Sequence, residues 1–83
     1  MKHELVWSVR AIDAAAGFLH DDVQGLGELV IVLDTLALNP RPKGSIRLGP
    51  TGFRRLRSGR YRVVYDVDAR QLTVTIVHLG RVG

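Results

Sequence analysis

The sequence contains no cysteine, and that absence removes a disulfide framework, a thiolate metal site and a cysteine nucleophile together. It fits a reducing, cytoplasmic setting. Long apolar runs are missing as well: the longest, Leu29 to Leu33, is far too short to span a bilayer. In the opening MKHELVWSVR, Lys2, Glu4 and Arg10 bracket a brief apolar stretch, which is too short and too interrupted for a signal peptide. A soluble intracellular protein without membrane contact is expected. Histidine is scarce, and His3, His20 and His78 lack ligand spacing, so neither a metal site nor a cofactor is expected. There is no internal repeat, low-complexity tract or linker. The 83 residues suffice for one domain, 1–83, around one core. Such a domain is stable by about 4 to 12 kcal/mol, so a partner covering apolar surface would matter greatly.

Acidic residues are few where basic ones gather. Residues 1–40 carry two basic and six acidic side chains, whereas residues 41–83 carry ten basic and two acidic. Nine of those ten are arginine, whose planar fork pairs with phosphate better than a lysine point charge. The second half therefore reads as a footprint for a polyanion, with a merely solubilising basic surface as the alternative.

Hydrophobic periodicity supplies the elements. His3 to Val9 alternates as a strand does, with His3, Leu5, Trp7 and Val9 on one face. From Ala11 to His20, Ile12, Ala15, Ala16 and Leu19 follow helical spacing. Asp21 followed by Gln24 resembles a capping box, after which Val23, Leu26, Val30, Leu33 and Ala37 trace a second helix, with Leu29 and Leu36 beside them. Gly25 and Gly27 weaken its first turns by roughly 1 kcal/mol each relative to alanine, and Pro40 and Pro42 close it. Strand patterns follow at Ser45 to Leu48, Phe53 to Arg57, Tyr61 to Val67 and Leu72 to Leu79, with turns at Ser58-Gly59 and at Asp68 to Arg70. The expected class is α+β, in the order β-α-α-β-β-β. Its two N-terminal helices pack on one face of a mostly antiparallel sheet.

The segment GFRRLRSGRYRVVYDVD, Gly52 to Asp68, resembles the RelE/ParE toxin superfamily of type II toxin–antitoxin systems, its RelE-like branch above all. The carrying features are a basic strand, a Gly-containing turn and the strand Tyr61-Arg62-Val63-Val64-Tyr65. The exit Asn39-Pro40-Arg41-Pro42, Gly44 and the closing VTIVHLGR, with Gly80 and Arg81, look like the family at matching distances. The resemblance covers nearly the whole chain and implies the RelE-like fold. On that fold RelE-like members cut mRNA in the ribosomal A site and ParE-like members poison DNA gyrase, so fold alone does not decide between them.

The resemblance implies roles for particular residues. Arg62 matches the family arginine that clamps the scissile phosphate; the alternative is a sheet-surface arginine bridging to an acidic neighbour. Arg55 stands where RelE-like nucleases often carry a catalytic lysine, but an arginine is a poor proton acceptor. Arg57 shares its face at period two and Arg54 points the other way. The family's further upstream basic position falls on Phe53, a departure. Arg81 resembles the basic residue after the terminal glycine, and His78 near it could act as general acid or base or simply face solvent. The catalytic candidates are thus Arg62, Arg55, Arg81 and His78, with Arg47, Arg54, Arg57 and Arg60 as RNA contacts. RelE-like toxins usually continue beyond this strand with a functional Tyr or His, whereas this sequence stops at Arg81-Val82-Gly83. A missing acid or base costs about 10² to 10⁴ in rate. Tyr61 and Tyr65, sharing one face with Val63, read as core with hydroxyls at its edge, and Trp7 as core. Asp66 and Asp68 read as strand-end and turn residues.

The leading expectation is a ribosome-dependent mRNA endoribonuclease with a single basic groove built from Arg47, Arg55, Arg57, Arg62 and Arg81. The resemblance further implies a RelB-like antitoxin that folds on binding, and contact with operator DNA only through that complex. The alternatives are a ParE-like gyrase inhibitor and a catalytically silent member acting by antitoxin binding and autoregulation.

Overall fold

The computed structural model describes residues 2–82; Met1 and Gly83, the two ends of the expected 1–83 domain, and with Gly83 the last residue of the Arg81-Val82-Gly83 ending, lie outside the described residues. The elements are β1 (Glu4–Trp7), α1 (Val9–Leu19), α2 (Val23–Asp34), a 3₁₀ turn (Thr35–Ala37), β2 (Ile46–Arg47), β3 (Phe53–Ser58), β4 (Tyr61–Asp68) and β5 (Thr73–Arg81). The α+β class holds, and the strand pattern expected at Ser45 to Leu48 is the two-residue edge strand β2, so that four strands, not the three of the order β-α-α-β-β-β, follow the helices. The five strands form one sheet in the order β1-β5-β4-β3-β2. The pairs β2/β3, β3/β4 and β4/β5 are antiparallel, as short connections require, and β1 joins β5 in parallel after the helical crossover.

Both helices cover one face of the sheet. On β4 the alternation is strict: Tyr61, Val63, Tyr65 and Val67 are buried, in one core with Leu26, Leu29 and Leu33 from α2, Leu36 from the 3₁₀ turn and Val74, Ile76 and Leu79 from β5. Leu5 and Trp7 pack against this core from β1. The Tyr65 hydroxyl donates to the Pro40 carbonyl at 2.8 Å, so the core tyrosine also fixes the helix exit. Among the described residues no helix is long and apolar enough to cross a membrane.

Two helical expectations need correction. In α1 the residues turned inward are Ala11, Ala14, Ala15 and Phe18, whereas Ile12 and Leu19 are about half exposed. The helix begins earlier because Ser8 caps it, accepting from the Ala11 N–H at 3.1 Å, and the inward face is set by small alanines that admit the sheet closely. In α2 the cap is Asp22, not Asp21: Asp22 Oδ1 accepts from the Gly25 N–H at 3.0 Å. A side chain at position 25 would collide with the Asp22 carboxylate, which explains a glycine that helix propensity alone would disfavour. On that helix Val23 is exposed, not part of the inward face.

The β3–β4 loop is Gly59-Arg60, closed by the Ser58/Tyr61 pair. Gly59 has φ +57°, a conformation that costs glycine nothing and that the first position of a type II′ hairpin demands.

Candidate functional site

The faces of the sheet separate the arginines. Strand pairs place residues directly opposite one another on the same face, so the register assigns sides. Arg57 is opposite Arg62, and Arg55 opposite Val64 and Ile46. Since Tyr61, Val63 and Tyr65 point to the helices, Arg55, Arg57, Arg62 and Val64 lie on the uncovered face.

A β-bulge brings His78 to the same face. Val64 pairs with His78 and Tyr65 with Ile76, leaving Val77 without an opposite residue. Simple alternation from Val74 and Ile76 would turn His78 toward the helices; the extra residue reverses the phase, so His78 is exposed and Leu79 buried. The bulge is anchored from a distance: Ser8 Oγ donates to the Val77 carbonyl at 3.0 Å while capping α1. Ser8 is thus a positioning residue that both caps α1 and anchors the bulge, whereas the sequence pattern places it inside the first strand, His3 to Val9.

Arg62 is opposite Gly80 on its other side. The bare Cα leaves open space, into which the imidazole leans until Nε2 lies 3.5 Å from where a Cβ would stand. The arginines here have few internal commitments. Among the described residues the side chains of Arg57 and Arg62 make no hydrogen bond or ion pair, and like charges directly opposite destabilise a sheet. Arg55 Nε is buried without a hydrogen-bond partner, an arrangement that costs free energy unless something supplies an acceptor. Phe53, at the same period two, extends this face with an exposed ring opposite Asp66. Chemically, the surface offers fixed cationic donors around one imidazole. Among the described residues no three His, Cys, Asp or Glu side chains cluster as a metal would require.

The remaining candidates lie elsewhere. Arg81 pairs across β4/β5 with Tyr61 and so faces the helices, where its two terminal nitrogens donate to Asp21 Oδ1 and Oδ2 at 2.8 and 3.1 Å. Its guanidinium carbon lies 4.7 Å from the centre of the Phe18 ring, and Phe18 in turn meets Tyr61 edge to face at 5.5 Å. Tyr61 completes the junction by donating to Asp22 Oδ2 at 2.7 Å. The Arg81 hydrogen bonds hold the Asp21 carboxyl below its ordinary range, and Asp21 raises Arg81 in return. The Tyr61 hydroxyl, followed by the Gly25 N–H, lowers Asp22; burial, then Asp22, pushes Tyr61 up. Arg81 and His78, three residues apart on β5, therefore occupy opposite faces.

Arg60 stands in the hairpin loop beside Asp22, Glu28 and Tyr61, on the helix side. Arg54 also points to the helix side, donating from Nε to Ser45 Oγ at 2.9 Å. Arg47 is opposite Arg54 and closes the β2–β3 connection through the Gly49 and Pro50 carbonyls. Thus the structure assembles Arg55, Arg57, Arg62 and His78, and places Arg47, Arg54, Arg60 and Arg81 on the other side.

Comparison with known proteins adds to this geometry. Residues 7–82 match the family model described as the ParE toxin of type II toxin–antitoxin system, parDE. No curated protein sequence matches. Among solved structures, the chain is similar to one in the archaeal RelE–RelB complex from Pyrococcus horikoshii OT3, with a TM-score of 0.85 and 24% identity over 100% of this chain and 98% of that one. A chain of the RelBE2 toxin–antitoxin complex from Mycobacterium tuberculosis gives 0.79 and 19% over 98% and 99%. The isolated E. coli RelE toxin gives 0.79 and 20% over 98% and 85%. At these identities the structural likeness establishes the fold.

Proposed function

The chain belongs to the ParE toxin family of type II toxin–antitoxin systems, and from the cationic side chains gathered on its uncovered sheet face we propose that it is a ribosome-dependent endoribonuclease that cuts mRNA and so inhibits translation. The observation that carries the reading is the convergence of Arg55, Arg57, Arg62 and His78 on the uncovered sheet face. A surface that leaves arginines opposed to one another and one Nε unsatisfied is suited to a polyanion that supplies the missing charge and acceptors.

In the proposed reaction the mRNA 2′-oxygen bonds to the adjacent phosphorus, the bond to the 5′-oxygen breaks, and a cyclic phosphate and a 5′-hydroxyl result. Arg62 clamps the scissile phosphate, and Arg55 and Arg57 hold flanking oxygens, stabilising the charge of the pentavalent state. His78 serves one of the two proton transfers: taking the proton from the 2′-hydroxyl or giving one to the leaving 5′-oxygen. Water or an RNA group serves the other. Arg81, its charge offset by the Asp21 carboxylate, holds the end of β5 in place and does not touch the RNA.

The partner we propose is a RelB-like antitoxin, as in the complexes of the structural relatives. It would offer carboxylates to the open-face arginines and an apolar helix to Val9, Ile12, Val23 and Ile31, all at least half exposed on α1 and α2. Operator DNA would be met only through that complex. The matched family model is that of ParE, which favours DNA gyrase inhibition as the second reading.

Mapping of mRNA 5′ ends after adding the purified protein to a translating extract, with Arg62→Ala in parallel and a gyrase cleavage assay on the same preparations, separates these readings. New ends in the ribosomal A site, reduced about 10² to 10³-fold by Arg62→Ala, are expected. Absence of new ends overturns the nuclease, and accumulated DNA breaks then establish the gyrase reading.

A further inference from the structure

On the helix side of the β2–β3 connection a cavity of about 400 Å³ is lined by Arg41, Arg47, Thr51, Gly52 and Arg54. Three of its five lining residues are arginines and none is acidic. The carboxylate that approaches Gly52, that of Asp66, belongs to the open face through its pairing with Phe53. Two of the guanidinium groups are already oriented. Arg54 is held by Ser45 through Nε at 2.9 Å and a terminal nitrogen at 3.3 Å; Arg47 is held by the Gly49 and Pro50 carbonyls. These acceptors are neutral, so they fix the forks without cancelling their charge, and each guanidinium keeps three of its five N–H donors. Arg41, at the helix exit, makes no hydrogen bond or ion pair among the described residues. Holding three positive charges around one cavity is unfavourable until an anion enters, and the immobilised forks reduce the entropy that binding must remove.

We propose that this cavity is a second phosphate site, which takes the phosphodiester backbone of an RNA segment other than the one being cut. Its volume exceeds what one phosphate needs. The RNA choice follows from continuity: Arg54 and Arg55 are successive on β3 and face opposite ways, so cations line both sides of the β2–β3 edge, and a long polyanion can follow them from one face to the other. The identity of the anion as RNA rests on the nuclease reading, whereas the site itself does not.

The test is fluorescence anisotropy with a labelled, fully 2′-O-methylated single-stranded RNA, which cannot be cut by attack of its own 2′-oxygen, titrated at several salt concentrations. Wild type is compared with Arg41→Gln, Arg41→Gln/Arg47→Gln and Arg62→Ala. The double variant should lose about tenfold in affinity, and its plot of log K against log salt should be shallower by about 1.4, roughly 0.7 for each lost contact. Arg41→Gln alone, which breaks no internal bond, should give about half that change and guards against loosening of the Arg47 turn. The Arg62→Ala loss should add to that of the double variant, because the sites lie on opposite faces. Unchanged affinity and slope in both Arg41 variants overturn the proposal, as does a wild type that binds no RNA. A labelled hexaglutamate peptide forms the rival arm: if the double variant loses the peptide but keeps the RNA, the cavity is a protein-docking site. If RNA binding depends on Arg41 and Arg47 while no mRNA is cut in the translating extract, the second site stands and the nuclease reading falls.

Discussion

The two faces of this sheet treat polar groups in opposite ways. On the helix-covered face Tyr65 gives its hydroxyl to Pro40, Tyr61 to Asp22, and Arg81 spends both terminal nitrogens on Asp21. On the uncovered face Arg57 stands opposite Arg62, and Arg55 keeps a buried donor unsatisfied. The first arrangement stabilises the fold; the second costs stability and makes sense where a ligand completes it. Stability and the proposed chemistry thus share strands β4 and β5 but use alternate residues of each.

That division can be broken from either side. Leu33→Ala, at a fully buried position between α2 and the sheet, should give the largest effect, a loss of about 2 to 5 kcal/mol in chemical unfolding. RNA binding by the fraction that remains folded should be unchanged. Arg62→Ala should do the reverse. RNA affinity falls, while the midpoint of unfolding stays level or rises, by up to about 1 kcal/mol, as the charge opposite Arg57 is removed. A fall in stability with Arg62→Ala would mean that the open face also carries the fold.

The covered face was the more legible from sequence, since Tyr61, Val63, Tyr65 and Val67 announce their burial by simple alternation and the prolines mark the end of the second helix. The open face was legible only in part. Arg55, Arg57 and Arg62 follow from period two, but His78 reaches them through a bulge whose carbonyl is held by Ser8, 69 residues earlier. No local pattern contains that bond. The same bulge sends Arg81 to the far side, which divides the single expected groove in two. In α1 the apolar pattern fits two phases, and the choice fell to close packing of Ala11, Ala14 and Ala15 on the sheet. Gln24 favours Asp21 as the cap in sequence, yet Asp22 takes that place, with Asp21 held instead by the distant Arg81 and Asp22 by the distant Tyr61.

The smallest expected effect is a pH dependence confined to the covered side. Asp21 and Asp22 both titrate below their ordinary value of 3.8, through the hydrogen bonds of Arg81 and of Tyr61 respectively. A carboxyl depressed on folding contributes stability that is complete above the unfolded value and disappears as pH falls through the folded one. The junction of Asp21, Arg81, Phe18, Tyr61 and Asp22 should therefore weaken below about pH 4. Tyr61 is raised above 10, chiefly by burial, so its neutral form belongs to the folded state, and its contribution is full below the unfolded value and lost as pH climbs through the raised one. Thermal midpoints recorded against pH should fall on both sides of a plateau, with Asp21→Asn flattening the acid limb and Tyr61→Phe the alkaline one. Arg62→Ala should leave the acid limb as it is, because the arginines acting on these carboxyls are Arg81 and Arg60. An acid limb that changes with Arg62→Ala would show the two faces to be electrostatically coupled and would end their description as independent surfaces.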